Sequence, residues 1–380
     1  MNPTIIVMAH DRPEGLVRLL ASVGRLDVDG AATEVVVSVD GGGRREREVL
    51  DVADGWSSPI GTVRVERHDH LGLVEHFRRC GDLTAEVGPI VLLEDDLEVG
   101  PHALRFASAA LAHHGDDPRV AAVCLSAPRR DGFRHQRFEP LGDGSDTCFA
   151  RIMWFHGLAF TPQQWARHRG GADVDRSIPL PPAFSQLGDD EWFPDAVRAM
   201  CRDGSFAVLP RRAHAVNHGD PGVHFDRRTD GFQQPVEQGR WQGHRLAELD
   251  DPSAAVYDEY LEFDAERLAA RVPDLPDAPV QIDLRGLREL DPAVPWVVTS
   301  RAVRAARRSW GVRMQPLEQN LLSGVEGTDL QLAATSDVVL DAASARRSAE
   351  VVERHARHGR PLGRLDRLVR RARSVRQAVR

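Results

Sequence analysis

Three consecutive acids, Glu94-Asp95-Asp96, follow directly on the apolar run Ile90-Val91-Leu92-Leu93. Carboxylates packed this closely repel one another and lose hydration, and a divalent cation relieves both problems. Oxygen ligands of this kind suit Mg²⁺ or Mn²⁺ rather than zinc or copper. A short apolar run reads as a buried central strand, which places the acids at its carboxyl end. A plainer reading makes them the acidic first turn of a helix, since Pro101 and the residues after it look helical. Ligands of open α/β sheets gather at the carboxyl ends of strands, which favours the cation.

Other residues of chemical interest are spread along the chain. Asp40 closes the apolar run 34–39 and is followed by Gly41-Gly42-Gly43. Its carboxylate suits a base N–H or a ribose hydroxyl, or it belongs to an ordinary Asp-Gly turn. Gly188-Asp189-Asp190-Glu191-Trp192 is a second acid cluster, either a helix cap or the seat of a general base. Among His214, His218 and His224, one imidazole could complete a cation shell; their spacing is not that of a zinc motif. There is no P-loop and no G-x-G-x-x-G after the first strand, so a bound diphosphate would need the cation to neutralise it.

These residues must be positioned by a scaffold, and the pattern predicts one. Strands are expected at 4–9, 34–39, 62–66, 90–93, 120–125 and 206–209. Helices are expected after Pro13 and at 70–83, 101–114, 188–200 and 256–271. Their alternation predicts an α/β fold with a mostly parallel sheet flanked by helices. Residues 127–170 look like substrate loops. Pro273, Pro276 and Pro279 suggest a linker, after which the chain restarts. Strands at 280–284, 295–299, 312–317 and 337–340, with helices at 301–310 and 342–358, would make a small α/β appendage. The expected division is therefore 1–272, 280–358 and an arginine-rich tail at 359–380. The tail reads as a solvated helix or as a contact with an anionic membrane surface.

Composition narrows the function. The 380 residues carry a net charge of -8, which argues against a nucleic-acid partner. All 49 basic residues are arginine, so neither a catalytic lysine nor a P-loop lysine is available. Cys80, Cys124, Cys148 and Cys201 lack C-x-x-C or metal-ligand spacing and read as a reduced, cytoplasmic set. Neither a signal peptide nor a membrane span is evident.

Taken in order, the motifs resemble the GT-A glycosyltransferases over residues 1 to about 230. Residues 5–13 (IIVMAHDRP) are similar to the opening strand and turn of family 2-type members. Ser38-Val39-Asp40-Gly41 is similar to their second strand end. Leu93 to Glu98 resembles the Glu-Asp-Asp version of the DXD motif found in enzymes like N-acetylglucosaminyltransferase I. Residues 154–159 (WFHGLA) resemble the glycine-bearing donor and acceptor loop, residues 188–192 the segment with the catalytic base, and residues 217–224 the closing histidine loop. The base segment lacks the tryptophan that usually precedes its first acid.

The resemblance implies a Rossmann-like GT-A domain and a metal-dependent, inverting glycosyltransferase of the hexosyltransferase type. Its donor would be a nucleotide sugar, UDP-linked before GDP-linked, and its acceptor a glycan or small-molecule hydroxyl. His10, Asp11, Arg12 and Asp40 would meet the nucleotide. Glu94 and Asp95 would lie at the ribose and cation. Asp96 would be the main ligand to Mn²⁺ or Mg²⁺, with His224 completing the shell. Gly157 would let backbone approach the sugar, and Asp190 or Asp189 would be the base. Two alternatives remain: a nucleotidyltransferase that makes nucleotide sugars, and a non-catalytic module that binds glycan or nucleotide sugar.

Overall fold

The structure, a computed structural model, describes residues 2–129, 137–170, 174–185, 191–221, 227–228 and 233–356. Along the chain the first elements are β1 (Thr4–Ala9), α1 (Pro13–Val23), β2 (Val35–Asp40), α2 (Glu46–Gly55), β3 (Val63–His68), α3 (Leu73–Asp82), α4 (Thr84–Val87), β4 (Ile90–Glu94) and β5 (Leu97–Val99). Next come α5 (Ala103–His114), β6 (Val120–Cys124), β7 (Thr147–Ala150), β8 (Leu158–Phe160), α6 (Pro162–Gly170), α7 (Pro182–Ser185), α8 (Phe193–Asp203), β9 (Phe206–Pro210) and β10 (Ala215–Asn217). The last are β11 (Val256–Tyr257), α9 (Ala265–Ala269), β12 (Val280–Asp283), β13 (Trp296–Thr299), β14 (Arg308–Trp310), α10 (Glu318–Leu322), β15 (Leu330–Ala334) and α11 (Ala342–Ala356). No helix among the described residues is long and apolar enough to cross a membrane.

Nine strands form one sheet in the order β11-β7-β9-β6-β8-β4-β1-β2-β3. Pairing is parallel for β1 with β2 and β4, β2 with β3, β6 with β9, and β7 with β11. It is antiparallel for β8 with β4 and β6, and for β7 with β9. The expected mostly parallel α/β sheet is therefore present. β1, β2 and β4 are near-continuous runs of Val, Ile and Leu because both of their faces are covered. Alternate residues feed two cores. Ile5, Val7, Val37 and Val91 pack with Leu16, Leu19 and Leu20 of α1 and Phe106 of α5. Ile6, Met8, Val36 and Leu92 pack with Phe77 of α3, Trp165 of α6 and Val197 of α8.

The C-terminal sheet has the order β12-β13-β15-β14, with one parallel and two antiparallel pairs. Its Ile282, Leu284, Val298, Trp310 and Leu330 belong to the same core as Phe77 and Trp165. A buried ion pair, Arg285 to Glu262 at 3.3 Å, joins β12 to the turn after β11. The Tyr257 hydroxyl donates to the Glu318 carboxylate across the same junction.

Several local expectations give way. β5 follows the acids at once and α5 begins only at Ala103, so Glu94-Asp95-Asp96 form a strand-to-strand turn rather than a helix start. Within 256–271 the helix is confined to α9, because Val256 and Tyr257 extend the large sheet beside β7. The segment 301–310 ends in the edge strand β14 rather than a helix, paired with β15. Residues 312–317 lead into α10, and 335–337 make a single 3₁₀ turn, so neither 312–317 nor 337–340 is a strand. α8 starts at Phe193, later than the expected residue 188.

Candidate active site

The order β3-β2-β1-β4 means the chain winds outward from β1 through β3 and then returns to β4 on the other side of β1. The carboxyl edge at this reversal is where ligands of open α/β sheets bind. Register fixes what lies beside it. Met8 is level with both Ser38 and Glu94, so His10 follows beside Asp40 and next to the acid turn.

The acid turn is withdrawn from water. Asp95 is buried, Asp96 is 8% exposed and Glu94 is half-buried. Burial first, then Asp96 and Asp95, push the Glu94 carboxyl up to about 8 against the pull of Arg12. Burial also raises Asp95 to about 6, opposed mainly by Arg12. The Arg12 guanidinium lies 2.7 Å from Asp95 Oδ1 and 3.2 Å from Asp96 Oδ2. Loss of water works against its charge, but Asp95 and Asp96 outweigh that, and its pKa sits above the ordinary value. Full ionisation of the three carboxyls would set three negative charges against the single Arg12 guanidinium that pairs with them among the described residues, which is why Glu94 and Asp95 resist it. Asp96 Oδ1 is buried and has no hydrogen-bond partner among the described residues. Hard oxygens, crowded carboxyls that a cation would help to ionise and a buried carboxylate oxygen left open fit a divalent cation such as Mn²⁺ or Mg²⁺.

The surrounding elements hold this turn in place. The His10 amide donates to Asp95 Oδ2 at 3.2 Å. Gly15 of α1 lies so close that a Cβ there would sit 2.5 Å from the Asp95 carbonyl oxygen. β5 pairs with β10, and the His218 amide extends that ribbon by donating to the Asp96 carbonyl at 3.0 Å. The His218 ring bonds Glu98 at 2.8 Å. His214 is instead a core residue, fully buried and stacked on Phe106 at 4.4 Å.

Asp40 and Asp11 both hold backbone. Asp40 is buried and accepts the amides of Leu71 at 2.6 Å and Gly72 at 3.0 Å, which anchors the entry to α3. Asp11 Oδ1 accepts the Arg45 amide at 2.5 Å and so caps α2. Neither task was legible beforehand, because each partner lies about thirty residues away in sequence.

The β4–β8 ladder ends with Leu92 level with Leu158, and His156 and Gly157 directly precede that strand. Gly157 has φ +87, which suits glycine, and its carbonyl accepts the Leu125 amide at 2.8 Å. His156 was not singled out from sequence. Burial holds it neutral, down to about 3, and the Trp154 indole donates to its Nδ1 at 3.3 Å. Its proton therefore sits on Nε2, inside the protein.

Asp189, Asp190 and His224 lie outside the described residues, as does the tail beyond 356. The chain on either side of them reaches the acid turn. Glu191 acts electrostatically on Glu94, and the Pro221 carbonyl accepts from Arg12 Nε at 3.3 Å.

No protein-family model matches the chain, and no curated protein does. Among solved structures, S. aureus TarS 1–349 in complex with UDP is 14% identical over 57% of this chain and 60% of that one, with a TM-score of 0.37. Mannosyltransferase PcManGT from Pyrobaculum calidifontis, in complex with GDP-Man and Mn²⁺, is 17% identical over 55% of each chain, with a TM-score of 0.34. The chain spans less than two thirds of either neighbour, and likenesses this loose carry no weight for its activity.

Proposed function

We propose that the chain is a metal-dependent, inverting GT-A glycosyltransferase that moves a sugar from a nucleotide-sugar donor, UDP-linked in preference, to an acceptor hydroxyl. The observation that carries this reading is the Glu94-Asp95-Asp96 turn withdrawn from water at the switch point of the sheet, its carboxyls crowded against the single guanidinium of Arg12. Such a site is suited to a cation that carries a diphosphate. A bound Mn²⁺ or Mg²⁺ would neutralise the charge that develops on the departing diphosphate. Asp96, with Asp95 and Glu94 around it and His224 from the later loop, would hold that cation.

The remaining roles belong to the chain's own groups. Arg12 and the His10 amide lock the Asp95 carboxylate in one orientation. Asp40 and Asp11 set the walls of the nucleotide end by fixing the loops at 71–72 and 45. Gly157, whose φ of +87 suits glycine, would let backbone approach the sugar. Asp190 or Asp189 takes the acceptor proton while its oxygen attacks the anomeric carbon opposite the leaving group, which inverts the configuration. The acceptor is a glycan or small-molecule hydroxyl.

The test is nucleotide release from a panel of UDP- and GDP-sugars with Mn²⁺, with and without acceptor. The expected outcome is release from at least one donor that chelation abolishes and that Asp96→Ala loses. Release that survives chelation would refute metal dependence. Pyrophosphate from a nucleoside triphosphate and a sugar phosphate would instead mark a nucleotidyltransferase.

A further inference from the structure

A second cluster of ligand-type groups stands one strand away from the acid turn. His10, Asp40 and His70 each offer a ligand atom, and these atoms lie within 4.8 Å of one another. The two rings are tilted by 32° with centroids 5.5 Å apart. His10 Nδ1 lies 2.9 Å from the Asp40 carbonyl, and His70 Nδ1 lies 3.0 Å from the Gly41 carbonyl. A carbonyl oxygen only accepts, so each Nδ1 carries the proton. Each ring then presents its other nitrogen as a lone pair. Imidazoles that ligate metals are held in this way, with one N–H tied to a backbone carbonyl or carboxylate that fixes the tautomer.

The charge at the cluster points in the same direction. Asp40 is 3% exposed, and no arginine pairs with it among the described residues. The Nδ1–H edge of His70 lies 3.4 Å from Asp40 Oδ2. The two amides on its oxygens occupy two of the roughly four lone-pair sites of a carboxylate. The remaining lone pairs are open to a cation shared with the two imidazoles. The His70 side chain is 61% exposed, so solvent reaches the cluster without any rearrangement.

We infer that His10, Asp40 and His70 form a metal site separate from the acid turn, selective for imidazole-binding divalent ions of the Zn²⁺ and Co²⁺ class. Two nitrogens and one carboxylate suit those ions and leave a fourth position for water or a ligand. The all-oxygen turn selects Mg²⁺ or Mn²⁺ instead. Binding here does not depend on the glycosyl-transfer reading. If that reading also holds, the ion and the nucleotide share His10 and Asp40, and Zn²⁺ would compete with the donor.

The experiment titrates the chelator-stripped full chain with Co²⁺ and follows visible absorption, then adds Zn²⁺. The expected result is one equivalent of Co²⁺ in a low-symmetry, strongly absorbing site, displaced by Zn²⁺ but not by excess Mg²⁺. In His70→Ala the affinity should fall roughly a hundredfold. In Asp96→Asn the Co²⁺ spectrum should persist. Absence of the spectrum in the wild-type chain, its persistence in His70→Ala, or its loss in Asp96→Asn alone would each overturn the assignment.

Discussion

Glu94 and Asp95 hold protons that a cation must displace. Their carboxyls are raised to about 8 and about 6, so below those values the acid turn is partly neutral. A metal ion needs the ionised forms. Affinity for Mn²⁺ should therefore rise with pH, by up to about tenfold per unit for each proton displaced between about pH 6 and 8. Calorimetry in buffers of different ionisation enthalpy should show proton release on binding. An affinity flat across that range would mean the ion sits elsewhere. The base is a second residue-scale question. Asp190→Asn and Asp189→Asn should both leave nucleotide binding unchanged. One of them should lower kcat by about 10²–10⁴-fold, and the variant that does so identifies the base.

At the scale of elements, the acid turn depends on α1. Gly15→Ala would push a methyl group to 2.5 Å from the Asp95 carbonyl, so either α1 or the turn must move. Overpacking of this kind costs about 1–3 kcal/mol. We expect a lower melting temperature together with weaker Mn²⁺ binding; unchanged Mn²⁺ affinity would show that the helix does not set the turn. How far each element could be read from sequence follows its burial. β1, β2 and β4 stand out as unbroken apolar runs because both faces are covered. β7 and β8 have only four and three residues, and pairing with neighbours makes them strands, so no local pattern announces them. β5 and β10 are equally short, which hid the ribbon that supports Asp96. His10, Asp40 and the acid turn stand out in the sequence by type and by their place at parallel strand ends. Their partners do not, because contacts such as Asp40 to Leu71 and Arg12 to Asp95 arise only on folding.

Over the whole molecule, opposed sets of buried groups shape acid stability. His76, His114 and His168 are held down to about 4, and His156 and His214 to about 3. The unfolded chain protonates these rings below about 6.5 while the folded chain does not, so their effect is to lower stability as pH falls. Glu94 at about 8, Glu262 at about 7, and Asp95 and Asp258 at about 6 act the other way, since the folded chain takes up those protons first. Metal-free stability should thus climb from pH 8 towards about pH 6 and decline in stronger acid. Melting temperatures across that range provide the check. A chain cut after Val272 would lose Ile282, Val298, Trp310 and Leu330 from the core that also holds Phe77 and Trp165. We expect that fragment to aggregate or to melt well below the full chain. The two sides of the large sheet also mature at different times during synthesis. The side backed by α1 and α5 has all its apolar partners once Val256 has emerged, whereas the opposite side waits for Val351 and Val352. A nascent chain therefore passes through a half-dressed stage with one greasy flank bare, the interval in which chaperone capture or misassociation would act.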